Sequence, residues 1–589
     1  MLHRGSSMMV MLLSMCCVRL AGGFNVVRVA PKACTSGGTS STGPTTSNSS
    51  GVSKLSAVKR SSEQTPTVSS PLVSKGHEEK FNWHKQWYPV LSEKDSDPAR
   101  THAVQLLGKD LVVWRNTEGR WSTFDDRCPH RAAPLTQGRV EKDGSLLCSY
   151  HAWRFDADGK CLSIPQSDRG GKDEASPRAC VKPYPTQVAQ EIVWVWADNG
   201  PDAVLESLLT EPALVSTLED KEGIKSGKVV PGRWTQRDLA YGWDTFLENV
   251  LDPAHVVVSH HGLMGKRSMA KPIELKTVPE MTKDGFVVDN NSPQFGAKQG
   301  ITTFCPPALV EIITELGDGT LISLVQYIIP TRPGWSRMFN RQMTIKPGGT
   351  EGDGAKKKKE PFSPLKLLAR VRQVPVKLKL APNEQRAWVQ HIMSHLFVHQ
   401  DMPLLYHQEK IMAKSGHTGS RWSKGIYTPT VSDKGVHTMR KWIARFGSGG
   451  PPWAEGCDTS MPPREQNPEV IWDIYQQHTK SCTSCQGALK RIEQCIQASK
   501  VSTVLSLTWA VVRAAAAASI NAVASRSTPL ANLVVARAML PGVLSMVLSL
   551  WVNKVRFVRC SICWLFAKFA CDAKSNTYQC LLFDAPMTL

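Results

Sequence analysis

The chain has 589 residues, enough for several domains, and carries 71 Lys and Arg against 51 Asp and Glu, a formal net charge of +20. The basic excess is local and comes without interleaved aromatic residues or a nucleic-acid-binding fold motif, so no nucleic-acid partner is expected. The 16 cysteines lack the regular spacing of a disulfide scaffold, which points to an intracellular, largely reduced compartment.

Residues 1–62 contain no Asp or Glu but carry Arg4, Arg19, Arg28, Lys32, Lys54, Lys59 and Arg60 among many Ser, Thr and Gly. That is the composition of an organelle transit peptide. The apolar run 8–17 would also suit a secretory signal. The long Ser/Thr/Gly run through Ser70 fits a plastid transit sequence better, and residues 1–80 are assigned to it.

Ordered structure is expected from Phe81. Strand-like runs at 103–107, 111–115 and 121–124 are separated by turns at Gly108-Lys109 and Glu118-Gly119. Next come Cys128-Pro-His130 and, seventeen residues later, Cys148-Ser-Tyr-His151. The stretch between them turns at Asp143-Gly144, which sets the two loops at neighbouring hairpin tips. C-x-H followed by C-x2-H is the ligand set of a Rieske [2Fe–2S] cluster, with two thiolates on one iron and two imidazoles on the other. A Cys2His2 zinc site pairs like ligands, whereas this chain interleaves Cys with His. Neither loop holds the extra Cys of the cytochrome-complex Rieske subunits, which points to the oxygenase type. With strand 192–196, residues 81–200 read as an all-β Rieske domain.

A linker of low regularity is expected over 197–228, then a catalytic domain over 225–475. It opens near Arg233 and carries Glu248-Asn-Val-Leu-Asp252-Pro-Ala-His255-Val-Val-Val-Ser-His260. Two His and a carboxylate on one face, with open positions for O₂ and substrate, are the ligands of a non-haem Fe(II) oxygenase. His255 and His260 are five apart, which suits a helix end or a kinked turn. His261 is a rival to His260, which the spacing favours. The third ligand lies downstream, with Asp401 preferred over Glu409. Strands are expected at 287–289, 308–315 and 321–329, and helices at 384–395 and 404–414, flanking Asp401. A sheet wrapped over a long helix would enclose an apolar pocket above the iron. Lys356–Lys359 read as a solvated loop.

Cys482-Thr-Ser-Cys485 has redox-motif spacing without a thioredoxin-like context, and reads as a regulatory dithiol in a segment spanning 476–500. Residues 501–524 and 529–552 are each long enough to cross a bilayer at about 20 residues per crossing. They are expected as two transmembrane helices over 501–552, despite Arg513, Arg537 and Pro541. The tail 553–589 carries no readable role.

These residues together resemble the plastid Rieske oxygenases, the family of pheophorbide a oxygenase, the Rieske subunit of the inner-envelope translocon, and the protochlorophyllide and chlorophyllide oxygenases. The resemblance spans about residues 81–488. Its carriers include Lys85-Gln-Trp-Tyr-Pro89, Asp126–Arg131, Cys148–Phe155, Glu248–His261, Asp401-Met402 and Gln477–Cys485. It implies an α+β chain, in which the all-β Rieske domain precedes a helix-grip (START-like) antiparallel-sheet catalytic domain and C-terminal transmembrane helices. It implies one [2Fe–2S] cluster per subunit at Cys128, His130, Cys148 and His151, and Fe(II) at His255, His260 and Asp401. Asp252 would bridge electrons from the cluster of a neighbouring subunit in a head-to-tail homotrimer. The partners implied are reduced ferredoxin, O₂, a chlorophyll-type tetrapyrrole, a membrane, and thioredoxin at Cys482 and Cys485. The location implied is the chloroplast inner envelope or thylakoid membrane, with the catalytic domains in the stroma. The expected activity is oxygenation of a chlorophyll-derived tetrapyrrole, most readily pheophorbide a. The alternatives are a redox-regulated translocon component and an oxygenase of chlorophyllide or protochlorophyllide.

Overall fold

Residues 87–196 fold into three small antiparallel sheets because their apolar residues recur with strand spacing. The protein is described here by a computed structural model covering residues 79–277, 281–291, 297–347, 384–465 and 467–524. Nearly all of the expected transit segment, the Lys-rich stretch, the second apolar segment and the tail lie outside the described residues.

The first eleven strands are β1 Trp87–Ser92, β2 His102–Leu106, β3 Lys109–Arg115, β4 Trp121–Asp125, β5 Arg139–Val140, β6 Leu146–Leu147, β7 Arg154–Phe155, β8 Cys161–Ser163, β9 Pro183–Tyr184, β10 Thr186–Ala189 and β11 Ile192–Trp196. They order as β1-β11-β10, β2-β3-β4-β9 and β5-β6-β7-β8. In β2, residues 102, 104 and 106 are buried and 103 is exposed, the two-residue period of a half-covered strand. β11 is buried at every position because it is the central strand of its sheet and is covered on both faces. The β2–β3 turn falls on Leu107 and Gly108, with φ of 50° and 81°, one residue before the expected place. Gly108 is required there twice over. Its φ is positive, and a Cβ would lie 2.9 Å from Cys457 Sγ.

The larger sheet has eight strands: β12 Val229–Pro231, β13 Thr235–Leu239, β14 Glu274–Thr277, β15 Phe286–Asn291, β16 Ala297–Cys305, β17 Leu309–Leu316, β18 Leu321–Arg332 and β19 Trp335–Ile345. Their order is β12-β19-β18-β17-β16-β15-β14, with β13 also paired to β19, and every pairing is antiparallel. Against the sheet pack α1 (Trp243–Val250), α3 (Glu384–Lys414) and α4 (Lys434–Arg445), while the single turn α2 (Val256–Ser259) follows α1. The last described helix, α5 (Thr483–Ala524), packs on α3.

Three expectations change. The helices foreseen at 384–395 and 404–414 are one 31-residue helix that runs through Pro403. Pro403 lacks the N–H that would bond the His399 carbonyl, but this removes one rung of the ladder without ending the helix. The low-regularity linker contains short helices at Ala203–Leu208, Ser216–Glu219 and Lys221–Lys225. The foreseen span 501–524 belongs to α5, yet among the described residues no helix is long and apolar enough to cross a membrane.

One apolar core ties the small and large sheets together. Trp83 packs edge-on to Trp243 at 5.2 Å and to Trp442 at 6.2 Å. Trp194 meets Tyr327 of β18 at 5.2 Å. A second, smaller core of Val112, Trp114, Phe124, Leu135, Leu146 and Phe155 lies beneath the two Cys/His loops. Fully burying one such side chain contributes about 1.5–3 kcal/mol, which anchors both loops from below.

Candidate functional site

The two Cys/His loops are built alike. Cys128 N–H donates to the Ala133 carbonyl at 2.8 Å and Ala132 N–H to the Cys128 carbonyl at 2.9 Å. In the second loop Cys148 N–H donates to Trp153 and Ala152 N–H to Cys148, both at 2.9 Å. Ala132 and Ala152 share a positive φ, 58° and 59°. The hairpin β5–β6, turning at Gly144, holds the loops side by side, as expected.

The loops are also polarised. Cys128 and Cys148 are buried, while the imidazoles of His130 and His151 lie toward solvent, 4.5 Å apart by ring centroid. His130 stacks on Trp153 at 4.7 Å and 6°. Burial pushes the Cys128 thiol up to about 11, and the neighbouring Cys148 adds to it. A buried thiolate pair therefore needs a positive partner, which a [2Fe–2S] core supplies. His151 is held below its usual value by desolvation and by His130 and Arg131, which favours the neutral, ligating form. The donor set thus fits a cluster with a thiolate side in the core and an imidazole side facing outward.

The second site is carried by a single helical turn. His255 caps the start of α2 and His260 its end, which sets both rings on one side. Asp401 comes from the middle of α3. One donor atom from each of His255, His260 and Asp401 lies within 4.8 Å of the others. His260 Nε2 stands 3.2 Å and His255 Nε2 3.7 Å from Asp401 Oδ2. Each group is oriented from behind. His255 Nδ1 donates to the Asp252 carbonyl, His260 Nδ1 donates to Gln400 Oε1 at 3.0 Å, and the Ser259 hydroxyl donates to Asp401 Oδ1. These bonds turn both Nε2 atoms toward Asp401 with their lone pairs unprotonated, as metal-binding histidines require, and the His255 lone pair accepts from the Asn249 amide at 3.2 Å. Burial raises the Asp401 carboxyl, but His260, His255 and Ser259 outweigh it and hold the group below its usual value. Two imidazoles and an ionised carboxylate on one face fit a divalent iron with open positions.

The structure separates the rivals left by the sequence. His261 is exposed, and its Nδ1 accepts the Arg267 N–H at 3.1 Å, away from Asp401. Glu409 sits two turns further along α3, where it accepts the Gly242 N–H at 2.7 Å and the Thr245 hydroxyl at 3.4 Å at the start of α1. Asn249 was not foreseen. Its side-chain amide lies 3.2 Å from His255 Nε2, and only the folded turn brings it there. An apolar cleft lies between α3 and α5, lined by Trp388, Leu396, Cys485 and Leu489 among others, with no triad residue in its wall.

Glu409 gives a pH prediction. Burial, with Asp244 adding, raises its carboxyl from 4.5 to about 7. Between those values the folded chain keeps a proton that the unfolded chain has released. The stability contributed by the neutral acid is therefore lost as pH rises through that window. Glu409→Gln keeps the acceptor and removes the charge. Thermal melts should show the variant more stable than the wild type at pH 8, by up to about 3 kcal/mol, and nearly equal at pH 5. A variant less stable at pH 8 contradicts this.

Cys482 and Cys485 do not stand alone. They meet His391 of α3 and His478, with the four donor atoms within 4.8 Å of one another. Cys482 is held well below the usual thiol range, chiefly because Cys485 donates to it, with burial opposing and His478 and His391 adding.

The Rieske [2Fe-2S] domain family matches residues 86–185, and the pheophorbide a oxygenase family matches residues 304–418. The chain is similar to a chloroplastic pheophorbide a oxygenase of Oryza sativa subsp. japonica, 32% identical over 73% of this chain and 78% of that one. It is 30% identical to the chloroplastic flavonoid 8-hydroxylase 2 of Ocimum basilicum over 73% and 79%. It is 29% identical to the chloroplastic protochlorophyllide-dependent translocon component 52 of Arabidopsis thaliana over 70% and 74%.

Proposed function

This chain belongs to the plastid Rieske oxygenase family that includes pheophorbide a oxygenase, and we propose that it is a chloroplast, ferredoxin-dependent oxygenase of a chlorophyll-derived tetrapyrrole, with pheophorbide a as its substrate. One observation carries the reading. The same chain pairs the Cys128/His130 and Cys148/His151 loops with a facial set of His255, His260 and Asp401. A pure electron carrier or redox sensor needs no such set.

Cys128, Cys148, His130 and His151 hold the cluster, and His255, His260 and Asp401 hold the mononuclear iron. When bound, the cluster supplies single electrons and the iron supplies O₂ activation. The reaction is a monooxygenation: substrate, O₂, two electrons and two protons give a substrate carrying one more oxygen, and water.

The chain's own groups set the conditions. The Asp252 carbonyl, Gln400 and Ser259 fix the three ligands, so no ligand need reorient during turnover. The Asp252 carboxylate is about a third exposed, at 31%, and lies 3.7 Å from His255 Nδ1. We assign it to the electron path from a neighbouring subunit. The outward-facing His130 and His151 support that assignment, and a head-to-tail trimer would bring the two together. Membrane attachment we assign to the apolar segment 529–552, on its sequence alone.

A second reading has support in one relative, the translocon component, whose printed name does not state a catalytic role. One assay separates the two. Protein reconstituted anaerobically with Fe(II) is given O₂, reduced ferredoxin and a panel of chlorophyll derivatives, with a flavone included because of the basil relative. A mass gain on pheophorbide a is expected. No mass shift on any tetrapyrrole would sink the proposal.

A further inference from the structure

Three elements converge on one buried point away from both iron sites. His391 comes from α3, His478 from the end of the short helix Ile474–Gln477, and Cys482 and Cys485 from the start of α5. His391 Nδ1 lies 3.5 Å from Cys482 Sγ and 3.4 Å from Cys485 Sγ, and His478 Nε2 lies 3.2 Å from Cys485 Sγ. A single tetrahedral ion with metal–sulfur bonds of about 2.3 Å and metal–nitrogen bonds of about 2.0 Å has ligand–ligand edges of about 3.5 Å. The observed spacings match those edges. They leave no room for two separate irons with a sulfide bridge between them.

The imidazoles are set as ligands are set. His391 Nε2 donates to the Trp234 carbonyl at 3.0 Å, and His478 Nδ1 donates to the Gln236 carbonyl at 2.5 Å. Both carbonyls belong to the β13 stretch or its immediate approach. With those protons committed, the ring nitrogens facing the sulfurs carry lone pairs. Cys482 is 4% exposed and His391 1%, so no water completes the shell and a partner dithiol cannot reach Cys482 in the closed fold.

We propose that His391, His478, Cys482 and Cys485 form a closed Cys2His2 site for one Zn²⁺, a structural clamp that pins the start of α5 to the helix carrying Asp401. Two soft thiolates and two imidazoles in tetrahedral array select zinc, and four protein ligands leave no open position for chemistry. The Cys-x2-Cys pair is then half of a metal site rather than a free dithiol switch. Ion binding releases the protons of both thiols and involves no electron transfer. This inference is independent of the oxygenase reading.

The test uses the full chain purified under argon from zinc-replete cells without chelators. Elemental analysis should find one zinc per chain in addition to iron, and X-ray absorption at the zinc edge should show two sulfur and two nitrogen neighbours. Titrating the wild-type thiols with an organomercurial should release that zinc to a chromogenic chelator as two thiols are consumed. This arm needs no variant to fold. Cys485→Ser and His478→Ala should each lose the zinc, lower the melting temperature, and keep the cluster's EPR signal. Wild-type protein without zinc even after reloading, a Cys482–Cys485 disulfide, iron in this shell, or zinc retained in both variants would each overturn the proposal.

Discussion

Replacing His255 by alanine should abolish pigment turnover while leaving the cluster's EPR signal unchanged. His255 Nε2 faces Asp401, and its other nitrogen is committed to the Asp252 carbonyl, so the variant removes one of the three proposed protein ligands. Changes behind a ligand cost about 10- to 100-fold in metal affinity or activity, and loss of the ligand itself should exceed about 10³-fold. Iron content should fall by the mononuclear share alone. The neighbouring His261→Ala is the matched control. His261 is exposed and bonded to the Arg267 backbone, so its removal should leave turnover close to wild type. The EPR signal is the decisive second readout, because its loss in His255→Ala would mean that the two sites have been exchanged.

Asp252→Asn should give the second-largest effect by a different route. The hold on His255 runs through the Asp252 carbonyl, which the substitution keeps. The Asx turn onto the Ala254 N–H, at 2.8 Å, can also re-form through the amide oxygen. Both metal contents should therefore match the wild type. What is lost is the partly exposed negative charge beside His255. A drop of about 100-fold in turnover is expected, at the upper end of the range for outer-shell groups, with a matching slowing of cluster reoxidation when substrate and O₂ are added together. A merely structural role would leave the reoxidation rate unchanged. Turnover within about twofold of the wild type would remove Asp252 from the electron path.

Much of both candidate iron sites was legible because their proposed ligands are local in sequence. Cys128/His130 and Cys148/His151 each occupy one loop, and His255 and His260 bracket a single turn. Asp401 was harder, since it meets His260 across about 140 residues and shares its helix with a second buried carboxylate, Glu409. Only packing shows that Glu409 faces the start of α1 instead. Strands followed from apolar alternation, but Pro403 was a false stop, because packing carries α3 past one missing hydrogen bond.

The fourth Cys2His2 member shows the same limit. Cys482 and Cys485 were visible as a pair and His478 lies close by, but His391 is 91 residues from Cys482. The spacing of His391, His395 and His399 at every fourth residue was an available signal, because it sets three imidazoles on one face of a helix. Folding uses that face for two ends. His391 meets the thiols, and His399 Nε2 meets the buried Arg237 at 2.9 Å.

The central claim is that electrons stored in the cluster meet O₂ on the substrate at the site of His255, His260 and Asp401. A single-turnover experiment tests it most directly. The chain is reduced without ferredoxin, loaded with pheophorbide a under argon, and mixed with ¹⁸O₂. The expected result is a product carrying ¹⁸O from the gas, formed in step with cluster oxidation, and absent in His255→Ala. Cluster oxidation with an unlabelled pigment would contradict the account.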